Sequence, residues 1–485
     1  MGAVTNSNQD DTGAVIDAIA TDSISANRPN SRQKPLVGAY VALLLFMFIY
    51  CARPEDWIPG LSNAPLAKMT GILALLALVF SLRHFRHGLP REVIYLALLV
   101  GQLFLAAVLS PVWRGGAVQT TLDFAKVLVI VIVMVAAVNT LKRLRLLIIT
   151  QAASAAVIAV VVISKRQLLL GRLEGMLGGN YSNPNDLALA IVISLPLCLA
   201  LLFLTKSRLW KGAWALSIIA MIYVIFLTGS RGGFLSLVTV AAVCLWEFAI
   251  RGRRRYLLVV ATLVGMILWQ SSSGMLSQRL KGTFDPQEDT ASSYASAQER
   301  QTLLWRSVEI TKEHPLFGIG PGNFPIISGS WHVTHNSFTE MSSEGGVPAF
   351  VLYVLIVWCG FKNVKAIKRF LPGHGESILL ARVLRASLAG YVVGSLFASE
   401  AYQLLPYFLV AYTTTLFRVA KTSASHSHGH KSVSQATAEK EICTNTTESE
   451  MLWHASSISG DPGRGQSFED SLGKSRRTST TRYGW

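Results

Sequence analysis

Long apolar segments recur along the chain, and they constrain its fold more than any other feature. A helix needs about 20 apolar residues to cross a hydrocarbon layer of about 30 Å. The segments approach that length and are separated by short charged connections. We therefore predict an all-α integral membrane protein with about twelve transmembrane helices. The segments are residues 36–51, 66–82, 93–111, 124–140, 145–163, 185–204, 211–229, 232–250, 256–270, 346–361, 379–398 and 402–419.

The composition supports a membrane protein. Hydrophobic residues make up 51% of the 485 residues and charged residues only 15%, and the mean hydropathy is +0.41. This apolar content exceeds what the surface of a soluble protein could hide.

The formal net charge of +16 reflects topology rather than nucleic-acid binding. Lysine and arginine form no single patch with interleaved aromatic residues; they alternate from loop to loop. This positive-inside bias makes twelve spans consistent with both termini in the cytoplasm, where the basic loops contact anionic lipid headgroups. The basic loops lie around residues 28–34, 83–91, 142–145, 206–211, 251–255 and 362–369.

Three regions follow from these patterns. Residues 1–34 are polar and without periodicity, so we expect a disordered cytoplasmic arm. Residues 35–420 form the polytopic catalytic domain, and residues 421–485 form a disordered cytoplasmic tail. Between spans 9 and 10 lies a large extracytoplasmic loop, residues 271–345.

This loop contains an amphipathic helix that begins near Ser296 and is expected to lie on the outer membrane face. A proline and three glycines then end the helix. The predicted apolar face comprises Leu303, Leu304, Val308 and Ile310, and the breaking residues are Pro315, Gly318, Gly320 and Gly322.

Neither a cofactor nor a metal is expected from the sequence. The five cysteines are far apart and have no metal-type or redox-type spacing. The predicted outer side carries no Asp-x-Asp pair and no cluster of histidines with carboxylates.

Arg231 is an unusual external cation. It lies in "GSRGG", between two apolar segments, where a charge is costly unless it faces a cavity or a partner. The flanking glycines allow a backbone or a phosphate to approach closely. The alternative is an arginine that reaches out to the headgroup region.

Further arginines are candidates for the same site. Arg300 and Arg306 point in different directions on the loop helix, so only one of them is expected to face the site, and we favour Arg300; for either arginine the alternative is a solvated helix face. Arg172, in the smaller external loop at residues 164–185, is the third candidate cation after Arg231 and Arg300. Together such guanidiniums would clamp a diphosphate, because their planar fork pairs with two phosphate oxygens and stays charged.

His335 is the preferred general base, because a histidine accepts a proton near neutrality and this one lies beside the next span. Glu340 and Glu344 are helical neighbours that would orient it or bind the acceptor. Asn336 would cap the helix or contact the substrate. A purely structural histidine at a helix start is the competing interpretation.

Four segments occur in order among the spans: "GSRGG", "ERQTLLW", "HPLFGIGPGNF" and "HNSFTEMSSEGGVPAF". This ordered set resembles the O-antigen ligase-like family of bacterial polysaccharide ligases and polymerases. The resemblance covers roughly residues 165–360, and "YSNPNDLALA" is similar to the family's pattern before a core span.

The resemblance implies a GT-C-like, metal-independent membrane glycosyltransferase of the bacterial inner membrane. Its donor would be a glycan on undecaprenyl diphosphate, and its acceptor a sugar hydroxyl of a glycan, lipid or polysaccharide at the periplasmic face. Arg231, Arg300 and His335 match the family's essential residues; the match of Arg172 is weaker. Direct attack by the acceptor would invert the anomeric centre.

Other functions stay open on the sequence alone. A transporter or flippase of a lipid-linked or anionic glycan would use the external arginines as a vestibule, although few charges lie deep within the segments. A scaffold without catalysis is the third possibility. Within the enzyme class, the sequence does not separate a ligase from a polymerase, nor does it identify the sugar.

Overall fold

The computed structural model describes residues 36–58, 60–61, parts of 66–79, 89–165, 168–169, 172–173, 181, 183–252, 254–271, 291–329, 331–370 and 375–423. The described residues up to Thr422 form one compact unit. The predicted arm at residues 1–34, and all but the first three residues of the predicted tail, lie outside the described residues.

Helices dominate the described part of the chain. The longer ones are α1 (Val37–Ala52), α3 (Arg91–Val108), α4 (Arg114–Ala137), α5 (Leu141–Lys165), α6 (Pro184–Leu204), α7 (Arg208–Thr228), α8 (Arg231–Cys244), α9 (Tyr256–Ser271), α10 (Ala291–Glu313), α12 (Ser337–Phe370), α13 (Glu376–Gly394) and α14 (404–423). Two short helices are α2 (Pro54–Trp57) and α11 (Phe324–Ile327), and α8 continues as a π-helix, Leu245–Ile250.

A small β-element interrupts the helices. In the smaller predicted external loop, β1 (Leu168–Leu169) pairs antiparallel with β2 (Arg172–Leu173).

The helices support a multi-span membrane protein. Among the described residues, eight helices are long and apolar enough to cross a membrane: α3, α4, α5, α6, α7, α8 with its π-helix, α12 and α13. The predicted segments at α1 and α9 form helices of 16 residues each. The segment at 66–82 lies partly outside the described residues. A total of twelve spans therefore stays a prediction.

One boundary in the predicted large loop is wrong, because the loop helix begins at Ala291 rather than near Ser296. Helix α12 begins at Ser337, directly after the predicted cap Asn336, so its polar first turns precede the predicted span that starts at residue 346. Moreover, α10 buries Leu303, Ser307 and Ile310 and packs on α12, so contacts within the protein hold this helix in place.

Small residues bring α6, α8 and α13 close together. Ser236 on α8 donates a hydrogen bond of 2.6 Å to the carbonyl of Gly390 on α13. A Cβ on Gly390 would lie 2.4 Å from Val240, and one on Gly394 would lie 2.3 Å from Leu189 of α6. Such small residues let membrane helices approach closely.

Polar contacts gather at two opposite ends of the helix unit. At the basic end, the Tyr40 hydroxyl donates to the Arg143 carbonyl (2.9 Å), Arg145 pairs with Glu376, and Lys368 pairs with Glu247. At the site end, contacts join the connection between α3 and α4, the residues after α10, the start of α12 and the residues after α13.

A break in α12 at the site end holds the glycine turn that follows α10. Gly346 has φ 80° and ψ 175°, which interrupts the helix. The carbonyls of Ser343 and Glu344 accept hydrogen bonds of 2.9 Å from the N–H groups of Ile319 and Gly320. The N–H of Val347 donates to the Pro315 carbonyl over 2.8 Å. The predicted Gly/Pro turn is therefore locked to the first turns of α12.

Replacing Gly346 by alanine tests this lock. Its φ is accessible almost only to glycine, and a Cβ there would lie 2.4 Å from the Leu316 carbonyl oxygen. We expect Gly346→Ala to destabilise the protein by about 3 kcal/mol, measured as a lower thermal unfolding midpoint in detergent. Gly265→Ala is the matched control, because a Cβ added at that glycine would have no other heavy atom within 4 Å. Equal midpoints for the two variants would contradict the lock.

Candidate functional site

Helix α10 carries Arg300 on the half-buried side of the helix, next to Glu299. Glu299 contacts the Nδ1 atom of His332 at 2.8 Å. The segment before α12 is thus tied to the same part of α10 that bears Arg300. Arg306 instead pairs with Glu309 at 3.2 Å and is 38% exposed. The structure therefore separates the two arginines as the helical spacing predicts.

The segment before α12 has a constrained backbone. Trp331 and His335 both have positive φ angles, 60° and 53°, which non-glycine residues rarely adopt. Contacts around them hold this shape: the Thr334 and Ser399 hydroxyls lie 3.0 Å apart, and the Ser337 hydroxyl donates to the Ala398 carbonyl at 2.7 Å. Strained backbone that neighbours over-determine is concentrated at functional sites.

Asn336 caps α12. Its side-chain oxygen accepts hydrogen bonds from the N–H groups of Phe338 (2.9 Å) and Thr339 (3.2 Å). Such a cap satisfies N–H groups that the first helical turn leaves without partners. The predicted capping role is confirmed, and contact with a substrate stays a prediction.

His335 lies next to Arg300 in a partly buried position. Burial, the positive charge of Arg300 and the neighbouring His332 together lower the pKa of His335 from 6.5 to about 4. The imidazole is therefore neutral at neutral pH, the state in which it can accept a proton.

The start of α6 brings an acid to Arg300. Asn183 caps this helix by accepting from the N–H of Asn185 at 3.0 Å. Asp186, in the first turn, interacts with Arg300 and accepts a side-chain hydrogen bond from Glu400. Burial, followed by the charges of Asp186 and Glu340, raises the pKa of Glu400 well above its usual range. Glu400 therefore keeps its proton and donates a hydrogen bond to the Asp186 carboxylate.

Arg231 is the first residue of α8, and its neighbours fix the start of that helix. Ser230 donates to the Asn185 side-chain oxygen at 2.8 Å and accepts from the N–H of Gly233 at 3.1 Å. A Cβ on Gly232 would lie 2.5 Å from the Cβ of Phe397. Arg231 thus lies where the starts of α6 and α8 meet the segment that follows α13.

Glu340 and Glu344, both on the first turns of α12, are buried. Glu344 accepts hydrogen bonds from the N–H groups of Gly322 (2.8 Å) and Phe324 (3.0 Å) and from the Tyr402 hydroxyl (2.8 Å). Glu340 accepts from the Ala401 N–H at 3.3 Å. In this structure the two carboxylates organise the protein around the site.

The structure adds Asp186 and Glu400, which the sequence did not single out as site residues. Asp186 directly follows the "NPN" triplet and precedes a long apolar run. This position is the one sequence signal that could have indicated it. Glu400 gave no local signal, because its partner lies far away in sequence. The side chain of Arg172 is outside the described residues. In the part of the chain that the structure describes, no group of three or more histidine, cysteine, aspartate or glutamate side chains is placed to hold a metal.

Comparison with known proteins agrees with this site. Residues 216–354 match the family model described as O-antigen ligase. The matched segment contains Arg231, Arg300 and His335. No curated protein matches the chain. The match shows that this segment is similar to O-antigen ligases, and together with the apolar helices it supports a membrane glycan-processing enzyme.

Proposed function

We propose that this protein transfers a glycan from undecaprenyl diphosphate to an acceptor sugar hydroxyl at the outer face of the bacterial inner membrane. The observation that carries the proposal is that the charge of Arg300 acts on His335 at the site end, within the segment that matches the family model. A cation for a diphosphate and a neutral base for a hydroxyl are the two groups that such a transfer requires.

Arg231 and Arg300 supply the cations. Breaking the bond between the sugar's anomeric carbon and the phosphate oxygen leaves negative charge on the departing diphosphate. Guanidiniums positioned before the reaction stabilise that charge without reorganising during it. Because a diphosphate is already a good leaving group, this stabilisation is the main requirement, and the proposed reaction is independent of a metal.

His335 is the proposed base. The acceptor oxygen attacks the anomeric carbon from the face opposite the diphosphate, its proton passes to His335, and undecaprenyl diphosphate leaves with the electron pair. One new glycosidic bond replaces one phosphoester bond, and the anomeric centre inverts. Protonated His335 is disfavoured beside Arg300 alone, but a bound diphosphate offsets the charge of Arg300. Donor binding therefore strengthens the base.

Asp186 is a positioning residue for Arg300 in this mechanism. An acid beside a phosphate-binding arginine repels the ligand, so its charge has to be limited. The proton that Glu400 retains leaves one negative charge on the pair rather than two. The pair thus orients Arg300 without cancelling the positive charge of both arginines.

Arg300 and Arg306 provide a matched comparison on one helix. We expect Arg300→Ala to lower glycan transfer about 10²-fold to 10³-fold, because a donor to the transition-state charge is lost. Arg306→Ala, which removes an exposed surface charge, should retain activity within about threefold. The assay uses purified protein in liposomes with a lipid-linked glycan and an acceptor, and follows both product and released undecaprenyl diphosphate. Equal losses in the two variants would remove Arg300 from the mechanism, and glycan flux without diphosphate release would favour the transporter.

The pH dependence tests His335. Because its pKa in the substrate-free protein is about 4, the neutral base is fully present at neutral pH and is lost as the pH falls through that value. Measured in the Asp186→Asn protein, where that acid no longer titrates, kcat/KM, which reports the free enzyme, should stay level down to about pH 5 and then fall. The acid limb of kcat should lie at higher pH, because the bound diphosphate favours the imidazolium. A kcat/KM limb centred near the ordinary value of about 6.5 would contradict this arrangement.

Asp186→Asn tests the positioning role. The amide keeps a hydrogen-bonding group toward Glu400 but removes the charge beside Arg300, so the guanidinium is held less firmly. We expect kcat to fall about tenfold, with a smaller change in the donor KM. Asp123→Asn is the control, because that acid is exposed on α4 and pairs with Lys126. An unchanged kcat in Asp186→Asn would exclude the role.

The glycans that accumulate in a deletion strain would distinguish ligation from polymerisation. Loss of a ligase leaves free polymer and an unmodified lipid core, whereas loss of a polymerase leaves single repeat units. Both products come from the same bond-forming step.

A further inference from the structure

The basic end contains a buried acid surrounded by three cations. Glu247, whose side chain is 2% exposed, lies 3.0 Å from Lys368, 3.6 Å from Arg382 and 2.9 Å from Arg385. These cations come from α12 and α13, and Glu247 lies on the π-helix that extends α8. The acid therefore fixes basic groups from two other helices at one point.

The charges in this cluster do not balance. Among the ion pairs of the described residues, Glu247 is the only acid that contacts any of the three cations. Two positive charges are therefore in excess. The cations are also accessible, since their side chains are 22% to 45% exposed, with Arg385 the most exposed. A single buried carboxylate thus organises the cations and leaves them able to bind an external anion.

The local backbone has an unusual form at this position. Leu245–Ile250 is a π-helix, which is rare and is frequently found at functional sites. It places Glu247 inward while its neighbours Trp246 and Ile250 are 51% and 52% exposed. One turn therefore carries both the buried acid that organises the charge cluster and exposed apolar side chains next to it.

The exposed apolar side chains continue along α8. Leu235 and Val238 are 46% and 51% exposed, and their spacing with Trp246 and Ile250 places them along one side of the helix. The guanidinium of Arg251 lies 6.0 Å from the centre of the Trp246 ring. A tryptophan paired with a cation at the end of an apolar stripe is typical of the level of lipid headgroups.

We propose that Lys368, Arg382 and Arg385 form a binding site for the phosphate of an anionic phospholipid, whose acyl chain lies along the exposed side of α8. Basic pockets between membrane helices recognise lipid phosphates in this way. The site is at the end of the helices opposite Arg300 and His335. It does not depend on the proposed transfer reaction.

The test uses the full-length protein in nanodiscs of phosphatidylcholine with increasing phosphatidylglycerol. Two readouts are compared for each variant: the thermal unfolding midpoint, and the phosphatidylglycerol that stays bound in native mass spectrometry after extraction. We expect phosphatidylglycerol to raise the wild-type midpoint. Arg385→Gln should weaken its apparent affinity about fivefold, as the loss of one cation near a lipid phosphate implies, and Arg385→Lys should restore most of it.

Arg306→Gln is the matched control, because it removes an arginine charge at 38% exposure from α10. It should retain the wild-type response to phosphatidylglycerol. Equal responses in Arg385→Gln and Arg306→Gln would overturn the proposal, as would inorganic phosphate in detergent giving the same stabilisation as the lipid. Comparing the response to lipid within each variant separates binding from any loss of stability that the substitution itself causes.

Discussion

The break in α12 is the constraint on which the site end depends. An unbroken helix would direct the Ser343 carbonyl to the N–H of Val347, whereas the Glu344 carbonyl would find no N–H at Pro348. With Gly346 outside helical geometry, these carbonyls accept from Ile319 and Gly320 instead. The turn that ends α10 is thereby fixed to the helix that begins just after His335. Because Arg300 lies on α10 and His335 lies just before α12, this irregular glycine helps to set where the two residues lie relative to each other.

Buried acids complete that framework. The Glu344 side chain accepts two backbone N–H groups and the Tyr402 hydroxyl, and so ties the glycine turn and the residues after α13 to α12. A buried carboxylate is costly unless hydrogen bonds satisfy it. The polar residues before the apolar part of α12 therefore have a structural reason to be there. The hydrogen bonds that Glu344 accepts thus account for part of the polar chemistry that lies directly beside a membrane helix.

The sequence predicted the helices well where a long apolar run determined them. It was less accurate where tertiary contacts set the boundaries, since α10 begins at Ala291 rather than near Ser296. The polar first turns of α12 were predicted with Asn336 as their cap, but not the glycine turn that packs on them. Helical spacing separated Arg300 from Arg306, and the resemblance to the O-antigen ligase-like family favoured Arg300. The Asp186 and Glu400 pair was beyond sequence reasoning, because it joins the start of α6 to a segment after α13 and only the packing of those helices brings the two together.

Charge is handled by opposite means at the two ends of the helix unit. At the basic end, a single ionised acid gathers three cations and leaves an excess of positive charge. At the site end, burial keeps Glu400 protonated, so Asp186 carries the charge of the pair beside Arg300. In both places a buried acid orients cations without neutralising all of them. Positive charge that is left over attracts a phosphate, and we propose that each end uses this arrangement to hold a phosphate group while its arginines stay fixed in place.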